Sequence, residues 1–374
     1  MKIGIDVFGC NHARSGVGSY LLNILSNLPV QDDLSIELFG PEIDRYTYNS
    51  ENELPFISLP IADNLTIQRN WHRRKIKKFL KKKKYDIVLF PAPDYVIPKN
   101  YKHKNVIVVN TTITNILKTE KKIYIHQMKK GFQYATKIIA SSEYIKQDLI
   151  NYGISSKKIV IIQNGIDHKL FFPTLNFTEE IVKINPFAIK RPYFIYATRL
   201  SEEGKNHLSL IKAFEIFKEN TGYPHRLVIA GDFANPDYVE KIQRQVVNSK
   251  FASDIFLLGY FPHESLPKLF AGAEAFIFPS DIEGVGLPVL EAMACGIPVL
   301  CSNKGALKEF AGAAPKYFNS ADVFEIADLM QDVIENPKMR EKMVLKGQKY
   351  AAGFDWKITA IKTLDLLKNL ILCK

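Results

Sequence analysis

Cysteine is scarce in this sequence, and the spacing of its few thiols excludes two common roles. The chain has 374 residues and four cysteines, Cys10, Cys295, Cys301 and Cys373. Neither the paired spacing of a zinc site nor the pattern of a disulfide framework is present. We therefore expect reduced, structural thiols, as in proteins of a reducing compartment.

Long hydrophobic runs are absent as well. No apolar run approaches the roughly 20 residues that a helix needs to span a bilayer. The apolar run at residues 3–7 follows Lys2 directly and is too short for the hydrophobic region of a signal peptide. We therefore expect a cytoplasmic protein, peripheral at most to the inner face of the membrane.

Acidic residues are missing from one stretch of the chain. Residues 69–84 contain ten Lys or Arg and no Asp or Glu, and the whole chain has a formal net charge of +11. Large apolar residues recur between these cations at approximately helical spacing, at Trp71, Ile76, Phe79 and Leu80. Three interpretations stay open: a solvated helix whose apolar stripe belongs to the core, a helix attracted to anionic lipid, or nucleic-acid binding without a recognition motif.

The rest of the chain alternates short apolar runs with amphipathic segments, which is typical of parallel sheets covered by helices. In the first half we predict strands at residues 3–7, 36–39, 87–90, 106–109, 138–141 and 159–162. In the second half we predict strands at residues 193–197, 227–230, 255–258, 275–278 and 297–301, then helices at about 321–334, 339–352 and from Trp356 onward.

The length of the chain favours two domains. Pro173, Pro186 and Pro192 bracket a poorly periodic stretch that we interpret as the linker between them. Ligands of such sheets bind beyond the carboxyl ends of the strands, so we expect a cleft between the two domains to hold the site.

A strand, loop, helix and strand at residues 275–301 carry the strongest chemical signal. The loop contains Glu283 and Gly286, Pro288 suits the first helical position, and Gly296 suits the end of a helix of about two turns. Free backbone N–H groups at the start of this helix favour an anion such as a diphosphate.

Two carboxylates frame this predicted anion site. Glu283 lies in the loop, and Glu291 follows eight positions later, in what we predict to be the first helical turn. Acids repel a phosphate, so we expect them to hold the hydroxyl-bearing parts of the same ligand.

Two further loops supply candidate contacts. Residues 9–20 contain Gly16, Val17 and Gly18 before an apolar helix, but Leu21 fills the position of the third glycine of a nicotinamide-binding fingerprint, which disfavours that cofactor. On its own this Gly-Val-Gly turn fits plain turn chemistry and close approach to a ligand equally.

After the strand ending at residue 197, Arg199 and Lys205 suit a diphosphate, the first by a bidentate fork and the second as a point charge. Alternatively they belong to a solvated loop in which Glu202 and Glu203 pair with them. Gly231 ends the next strand and would let the backbone approach a ligand.

The pattern of Glu283 and Glu291 within EGVGLPVLEAMACGIPV closely resembles the Glu-x7-Glu signature of the family-4 retaining glycosyltransferases, which have the two-domain GT-B fold. The resemblance extends over nearly the whole chain. Its further segments are SGVGSY (15–20), SSEYIKQDL (141–149), QNGID (163–167), Arg199 with Lys205, AGD (230–232), LGY (258–260) and FDW (354–356).

The resemblance implies an α/β GT-B fold in which two Rossmann-like domains face each other across a cleft. The acceptor-binding domain would span residues 1–175 and the donor-binding domain residues 190–355, with the last helix, residues 356–374, crossing back to the first domain. The donor would be a nucleotide diphosphate sugar, with no metal and no other cofactor.

The resemblance also implies roles for single residues. Arg199 and Lys205 would bind the diphosphate and stabilise the departing charge. Glu291 would hold the ribose hydroxyls, and Glu283 would contact the transferred sugar. Other donor contacts fall on Val285, Gly286 and Leu287 through backbone amides, on Gly16, Val17 and Gly18 as a lid over the diphosphate, and on Gly231 and Tyr260.

One departure from the family pattern concerns the acceptor side. Members commonly carry a His-Asp pair after the strand matched here by residues 106–109, whereas this chain reads Asn110, Thr111 and Thr112. Asn110 or Thr111 would take the place of the histidine, and neither can carry a proton near neutral pH. His126, on the following helical segment, is the candidate catalytic substitute, although a single helix histidine also fits a structural role.

We therefore expect a retaining, metal-independent hexosyltransferase. It would move mannose, glucose or an N-acetylhexosamine from a GDP- or UDP-sugar to an envelope glycan or lipid-linked acceptor. The alternatives are a nucleotide-sugar epimerase or hydrolase on the same fold, a non-catalytic binding protein that keeps the donor site, and a nucleic-acid-binding protein.

Overall fold

The computed structural model describes residues 1–29, 31–48, 54–93, 96–174, 177–201 and 203–373. The chain divides into two compact units. The first comprises residues 1–165 and 355–374, and the second comprises residues 166–354.

The first unit is a parallel sheet with helices between its strands. Its strands are β1 (Lys2–Asp6), β2 (Ser35–Pro41), β3 (Phe56–Leu59), β4 (Ile87–Phe90), β5 (Asn105–Val109), β6 (Lys137–Ala140) and β7 (Ile159–Ile161). Its helices up to this point are α1 (Gly16–Ser26), α2 (Leu65–Arg74), α3 (Ile76–Lys83), α4 (Ile113–Thr119), α5 (Lys122–Tyr134) and α6 (Glu143–Asn151). In the described residues the strand order is β3-β2-β1-β4-β5-β6-β7.

The second unit repeats this architecture. Its strands are β8 (Ile181–Ile184), β9 (Phe187–Lys190), β10 (Tyr193–Ala197), β11 (Arg226–Ala230), β12 (Ile255–Gly259), β13 (Ala275–Phe278), β14 (Val299–Ser302) and β15 (Lys316–Phe318). Its helices are α7 (His207–Thr221), α8 (Pro236–Val247), α9 (Leu266–Ala271), α10 (Leu287–Ala294), α11 (Leu307–Ala311), α12 (Val323–Glu335) and α13 (Pro337–Ala351). The parallel sheet has the order β12-β11-β10-β13-β14-β15 in the described part of the chain.

Burial explains why the predicted strands form. Strands β4, β5, β10 and β13 are buried at every position, so each is a continuous apolar run rather than an alternating one. Every strand that we predicted is present, with ends that differ by up to two residues. The prediction missed β3, β8, β9 and β15.

The last helix, α14 (Trp356–Leu372), belongs to the first unit. It contacts α1 and β4, and the Trp356 ring packs edge-on against Tyr20 with the centroids 5.8 Å apart. The hydroxyl of Thr359 donates to the carbonyl oxygen of Gln163 at 2.8 Å. A Cβ on Gly165 would lie 2.1 Å from the Trp356 nitrogen, so only glycine allows this approach. The predicted return of the last helix to the first domain is confirmed.

The interpretation of residues 173–192 as a linker is wrong. Strands β8 and β9 form an antiparallel hairpin within this stretch. Val182, Ile184 and Ile189 of the hairpin belong to the hydrophobic core of the second unit. The division of the chain therefore lies at residues 165 and 166, not between residues 175 and 190.

The basic stretch forms α2 and α3, and its apolar stripe belongs to the core. Ile76 and Leu80 are buried, and the Phe79 ring contacts the rings of Phe39 and Trp71. Trp71 and Phe79 are half-buried, so most of the stripe packs within the protein rather than facing outward. Among the residues that the structure describes, no helix combines the length and apolar character needed to cross a membrane.

The first turn of α1 offers a test of packing at a glycine. A Cβ on Gly18 would lie 2.0 Å from the carbonyl oxygen of Cys10 and 2.7 Å from the Cα of Ala13, whereas a Cβ on Gly16 would meet no atom within 4 Å. We predict that Gly18→Ala lowers the free energy of unfolding by about 1–3 kcal/mol through overpacking, and that Gly16→Ala leaves it unchanged. Denaturant unfolding of the two variants measures this; equal stabilities would contradict it.

Candidate functional site

The candidate site of the second unit lies where its strand order reverses. Strand β10 pairs with β11 on one side and with β13 on the other. In such sheets ligands bind beyond the carboxyl ends of the strands at this reversal. The loops that follow β10 and β13, residues 198–206 and 279–286, are therefore the ones expected to contact a ligand.

An ion pair joins these two loops. The Nζ of Lys205, at the end of a short 3-10 helix (Glu203–Lys205), lies 2.6 Å from Oε1 of Glu283. Both side chains are largely buried, with exposed fractions of 12% and 15%. The structure thus brings together two residues that lie 78 positions apart in the sequence and that we predicted to act on one ligand.

Two further hydrogen bonds connect the loops. The N–H of Asp281 donates to the carbonyl oxygen of Gly204 at 2.9 Å. The side-chain amide of Asn206 donates to the backbone carbonyl oxygen of Pro279 at 2.8 Å. These bonds hold the loops in one arrangement, so the ion pair does not have to position them alone.

Asp281 connects the second loop to two further strand ends. Its Oδ1 accepts hydrogen bonds from the hydroxyls of Ser302 at 2.9 Å and Ser320 at 2.6 Å. Ser302 ends β14, and Ser320 follows β15 by two residues. Residues beyond three neighbouring strands, β13, β14 and β15, are therefore held by one carboxylate.

The charge of Glu283 is stabilised despite its burial. Burial raises the pKa of this carboxyl, but the charge and hydrogen bond of Lys205 outweigh it, with a smaller contribution from Arg199, and the net pKa is lowered. Glu283 is therefore an ionised hydrogen-bond acceptor near neutral pH and has no proton to give as a general acid.

Arg199 is exposed at the same loop. In the part of the chain that the structure describes, its guanidinium forms no hydrogen bond or ion pair. Glu202 and the side chain of Glu203, the alternative partners for this loop, lie outside the described residues. For Lys205 the observed partner is Glu283.

The start of α10 has the geometry expected for backbone anion contacts. Gly286 precedes the helix with a φ of 81° and provides no side-chain cap. A Cβ there would lie 2.6 Å from Leu307, so the position combines a positive φ with close packing. Val285 is buried, Leu287 begins the helix and Pro288 follows as its second residue. Glu291 is the fifth helical residue, so it lies in the second turn rather than the first.

Gly231 is required by the packing of the backbone around it. A Cβ on this residue would lie 1.7 Å from the carbonyl oxygen of Thr198. The structure thus shows one close approach that needs glycine, between two backbone segments of the sheet edge; contact with a ligand stays a prediction. Tyr260, just after β12, is 66% exposed.

Glu291 has a partner that the sequence did not indicate. Its Oε1 accepts a hydrogen bond from Nε2 of His263 at 2.9 Å, and the His263 ring packs edge-on against Phe171. The carboxylate is 8% exposed, whereas the imidazole is 52% exposed. A ligand that binds Glu291 must therefore share this carboxylate with His263 or displace the imidazole.

In the first unit, the predicted glycine lid is already part of a helix. Helix α1 begins at Gly16, so the loop is shorter than we predicted, and Ser15 caps it by accepting the N–H of Gly18 at 3.1 Å. Val17 is buried. Within the described residues, the N–H groups of Gly16 and Val17 donate to no other protein group.

The loop before α1 is strained and held by side chains. Asn11–Ala13 have φ values of 49°, 51° and 61°, which non-glycine residues rarely adopt. The two ring nitrogens of His12 lie 2.6 Å from Asp44 and 2.9 Å from Asp63. Burial opposes the charge on His12, but the hydrogen bonds of both carboxylates raise its pKa. The two carboxylates thus favour the charged form of the imidazole, and the His12 side chain clamps the loop.

Asn110 follows the carboxyl end of β5 directly and is, with Thr111, one of the two residues that we matched to the histidine of the family pattern. Both polar atoms of its side chain are buried and have no hydrogen-bond partner within the described residues. Burying an amide without partners is costly, so such a group calls for an explanation. His126 lies on α5 and is exposed, with no side-chain partner among the described residues. Of the two residues, Asn110 rather than His126 therefore has buried polar atoms that a bound ligand would satisfy.

The fold is shared with solved glycosyltransferase structures. The Anabaena protein HepE, solved in complex with UDP and glucose, matches with a TM-score of 0.76 and 17% identity over 98% of this chain and 99% of that one. Sucrose-phosphate synthase from Thermosynechococcus elongatus matches with a TM-score of 0.77 and 16% identity over the full length of both chains. The fold is therefore GT-B, as predicted.

Two family models match the chain and together cover most of it. Residues 14–170 match the model "Glycosyltransferase Family 4", and residues 177–350 match "Glycosyl transferases group 1". The chain belongs to the family-4 glycosyltransferases.

The curated relatives are similar over part of their length. O-antigen chain mannosyltransferase B of Escherichia coli is 34% identical over 169 residues, which is 45% of this chain and 44% of that protein. The serotype-specific mannosyltransferase WbdA of Escherichia coli is 27% identical over 247 residues, 64% of this chain and 29% of that protein. The matched region thus spans less than half of each of these relatives.

The pair of His263 and Glu291 gives a prediction for titration. Burial lowers the pKa of His263, and the hydrogen bond and charge of Glu291 raise it. The effect of Glu291 outweighs that of burial, so the net pKa lies above its usual value of 6.5. The pair therefore stabilises the fold fully below pH 6.5, and this contribution is lost as the pH rises through the raised pKa.

NMR titration of the histidine ring signals measures this pKa directly. Glu291→Gln keeps the shape and removes the charge, so it is expected to lower the pKa of His263, while Glu264→Gln, the smaller contributor, has less effect. A His263 pKa unchanged by Glu291→Gln would refute the pairing.

Proposed function

We propose that this chain transfers a hexose from a nucleotide diphosphate sugar to a glycan or lipid-linked acceptor, with retention at the anomeric carbon and without a metal ion. The observation that carries the proposal is the ion pair of Lys205 and Glu283 beyond the carboxyl ends of β10 and β13. It combines a cation for the leaving diphosphate with an acceptor for the sugar hydroxyls.

The ion pair leaves both partners with capacity for a ligand. An ammonium group has three N–H donors, and Glu283 uses one of those of Lys205, so two remain for phosphate oxygens. An ionised carboxylate accepts several hydrogen bonds, so Glu283 can accept from sugar hydroxyls while it keeps its bond to Lys205. Arg199 adds an exposed guanidinium suited to bidentate contact with the diphosphate.

In the proposed reaction the bond between the anomeric carbon and the diphosphate oxygen breaks, and its electron pair stays on the diphosphate. Arg199 and Lys205 stabilise this charge as it develops. The acceptor hydroxyl attacks the face that the leaving group vacates, and its proton passes to a leaving-phosphate oxygen. This route needs no protein base, which agrees with the absence of a histidine from residues 110–112.

Glu291 is proposed to hold the ribose hydroxyls of the donor, with His263 orienting its carboxylate. The names of the curated relatives favour mannose and acceptors in envelope polysaccharide. HepE was solved in complex with UDP and glucose, so UDP-sugars also have to be tested.

Two other functions make different predictions for the same site. An epimerase or hydrolase would consume the donor without an acceptor. A non-catalytic binding protein would bind the donor and leave it intact. A nucleic-acid-binding protein is disfavoured, since only the basic stretch would support it.

We further propose that the exposed cations of α2 and α3 hold the protein at an anionic membrane surface by charge alone. Arg69 is not one of them, because it is buried, pairs with Glu120 and stacks on the Tyr124 ring at 4.2 Å. The exposed cations are Arg74, Lys75, Lys77, Lys78, Lys81, Lys82 and Lys84.

The first functional prediction concerns the ion pair. A thermal-shift screen of GDP- and UDP-sugars identifies the donor, because a ligand of the folded state raises its stability, and transfer is then measured with that donor. We expect Lys205→Met and Glu283→Gln each to lower turnover by a factor on the order of 100 or more, as for other residues that stabilise developing charge.

The matched control is Lys218→Met, since Lys218 is equally buried in the same unit and pairs with Asp254 at 2.9 Å. It is expected to lower stability without lowering the turnover of the folded fraction. Near-normal turnover in folded Lys205→Met or Glu283→Gln would refute the site. Donor consumption that is independent of the acceptor would favour the hydrolase alternative.

The second functional prediction separates Asn110 from His126. If the buried Asn110 amide binds a sugar or acceptor group, Asn110→Ala lowers turnover by about 10-fold or more, since a hydrogen bond to a bound ligand is lost. His126→Ala is expected to leave turnover unchanged because its side chain is exposed. The opposite result, loss with His126→Ala and none with Asn110→Ala, would assign the acceptor role to His126.

A further inference from the structure

A cavity opens at the amino-terminal edge of the first sheet, away from the carboxyl ends of the strands. It has a volume of about 440 Å³ and lies between α3 and the segments that lead into β4 and β5. Tyr85 and Asp86 directly precede β4, and Tyr101 and His103 precede β5. The site proposed for sugar transfer does not use this edge.

Three lysines of one helical face line the cavity. Lys77, Lys81 and Lys84 are spaced at i, i+4 and i+7, which places them on the same side of α3 and its C-terminal cap. All three are exposed. Within the described part of the chain, none of them forms an ion pair, whereas their neighbour Lys83 turns toward Glu37, with Nζ 3.8 Å from the carboxylate.

The floor of the cavity is rigid and aromatic. Tyr85 and Tyr101 are buried, and the hydroxyl of Tyr85 is bonded to Glu37. Nε2 of His103 donates to the carbonyl oxygen of Tyr85 at 2.7 Å. The groups that can adapt to a ligand are therefore the lysine ammonium groups at the rim.

The charge of the cavity is positive and incompletely compensated. Asp86 is the only acid among the lining residues, and its Oδ2 already accepts the backbone N–H of Lys2 at 2.7 Å. Three ammonium groups against one carboxylate leave a net charge of +2. A phosphomonoester carries about −1.5 to −2 near neutral pH and offers three acceptor oxygens, so its charge and its acceptors match this cavity better than those of a phosphodiester.

We propose that this cavity binds the phosphomonoester head group of a membrane lipid. The surrounding surface favours a lipid over a soluble phosphate ester, since Arg74, Lys75, Lys78 and Lys82 extend the positive charge beyond the cavity on the same two helices. The proposal rests on the proposed membrane association of α2 and α3 and is independent of the sugar-transfer chemistry. The general charge attracts the protein to an anionic bilayer, and the cavity selects among anionic lipids.

The test compares two vesicle compositions of matched surface charge, one with phosphatidic acid and one with phosphatidylglycerol, in a phosphatidylcholine background. The pocket variant is Lys77→Gln/Lys81→Gln/Lys84→Gln. The control variant, Lys75→Gln/Lys78→Gln/Lys82→Gln, removes the same charge from the same helices outside the cavity. Thermal unfolding verifies that both variants fold, as is expected for substitutions of exposed lysines.

The unmodified protein is expected to bind phosphatidic acid at least 5-fold more tightly than phosphatidylglycerol. Each variant loses affinity for phosphatidylglycerol by a factor on the order of 100, at about 5-fold per lysine near an anionic surface. The preference for phosphatidic acid is expected to fall to about 1 in the pocket variant and to persist in the control variant.

Three results would overturn the proposal. The unmodified protein could show no preference, the control variant could lose the preference as fully as the pocket variant, or soluble glycerol 3-phosphate could abolish the preference at millimolar concentration, which would assign the cavity to a free phosphate ester. Turnover with a soluble acceptor and no vesicles tests the transferase proposal separately, and both variants are expected to retain it.

Discussion

The ion pair between Lys205 and Glu283 is the interaction on which the second unit's candidate site depends. A buried pair of charges is stable only if each charge compensates the other. When one partner is removed, the remaining charge is buried without compensation, which strongly destabilises the fold. Here the pair also fixes the protonation state of Glu283, because Lys205 outweighs the effect of burial on its pKa. One contact therefore both joins the two loops and keeps Glu283 ionised.

The first unit shows the same coupling in a different form. The pKa of His12 is raised because the ring lies between Asp44 and Asp63, and this clamp holds a turn of unfavourable backbone conformation at the entrance to α1. Strain of this kind costs on the order of 1–3 kcal/mol per residue and persists only where the surroundings enforce it. The position of the α1 N-terminus is thus set by side chains from elsewhere in the unit.

The sequence was sufficient for most of the sheet architecture, because fully buried strands are continuous apolar runs that end at glycine, proline or polar residues. It was insufficient for strands that lack this pattern. Strand β3 is only half-buried along its length, β15 has three residues, and β8 and β9 turn at Pro186, which we took as a sign of a linker. Pairing with neighbouring chain segments, rather than local composition, makes these segments strands.

For the site, spacing identified Glu283, Glu291, Arg199 and Lys205 but could not supply their partners. His263 is 28 residues from Glu291, and no local pattern marks it. The isolation of the Asn110 amide is likewise a property of its buried surroundings, which only the folded chain defines. Contacts of this kind form only where the ends of separate strands meet in the folded chain. A motif can therefore indicate which groups a site contains, but not which charges and hydrogen bonds surround them.

Asp281 has a consequence for the energetics of ligand binding. Because its carboxylate ties the loop after β13 to Ser302 and Ser320, that loop loses its conformational freedom when the chain folds. A ligand that contacts the loop does not have to order it again, and the entropy of ordering is a substantial part of what weakens most binding reactions. The affinity of a ligand that binds Glu283 is therefore set partly by two serines that contact Asp281 and need never touch the ligand.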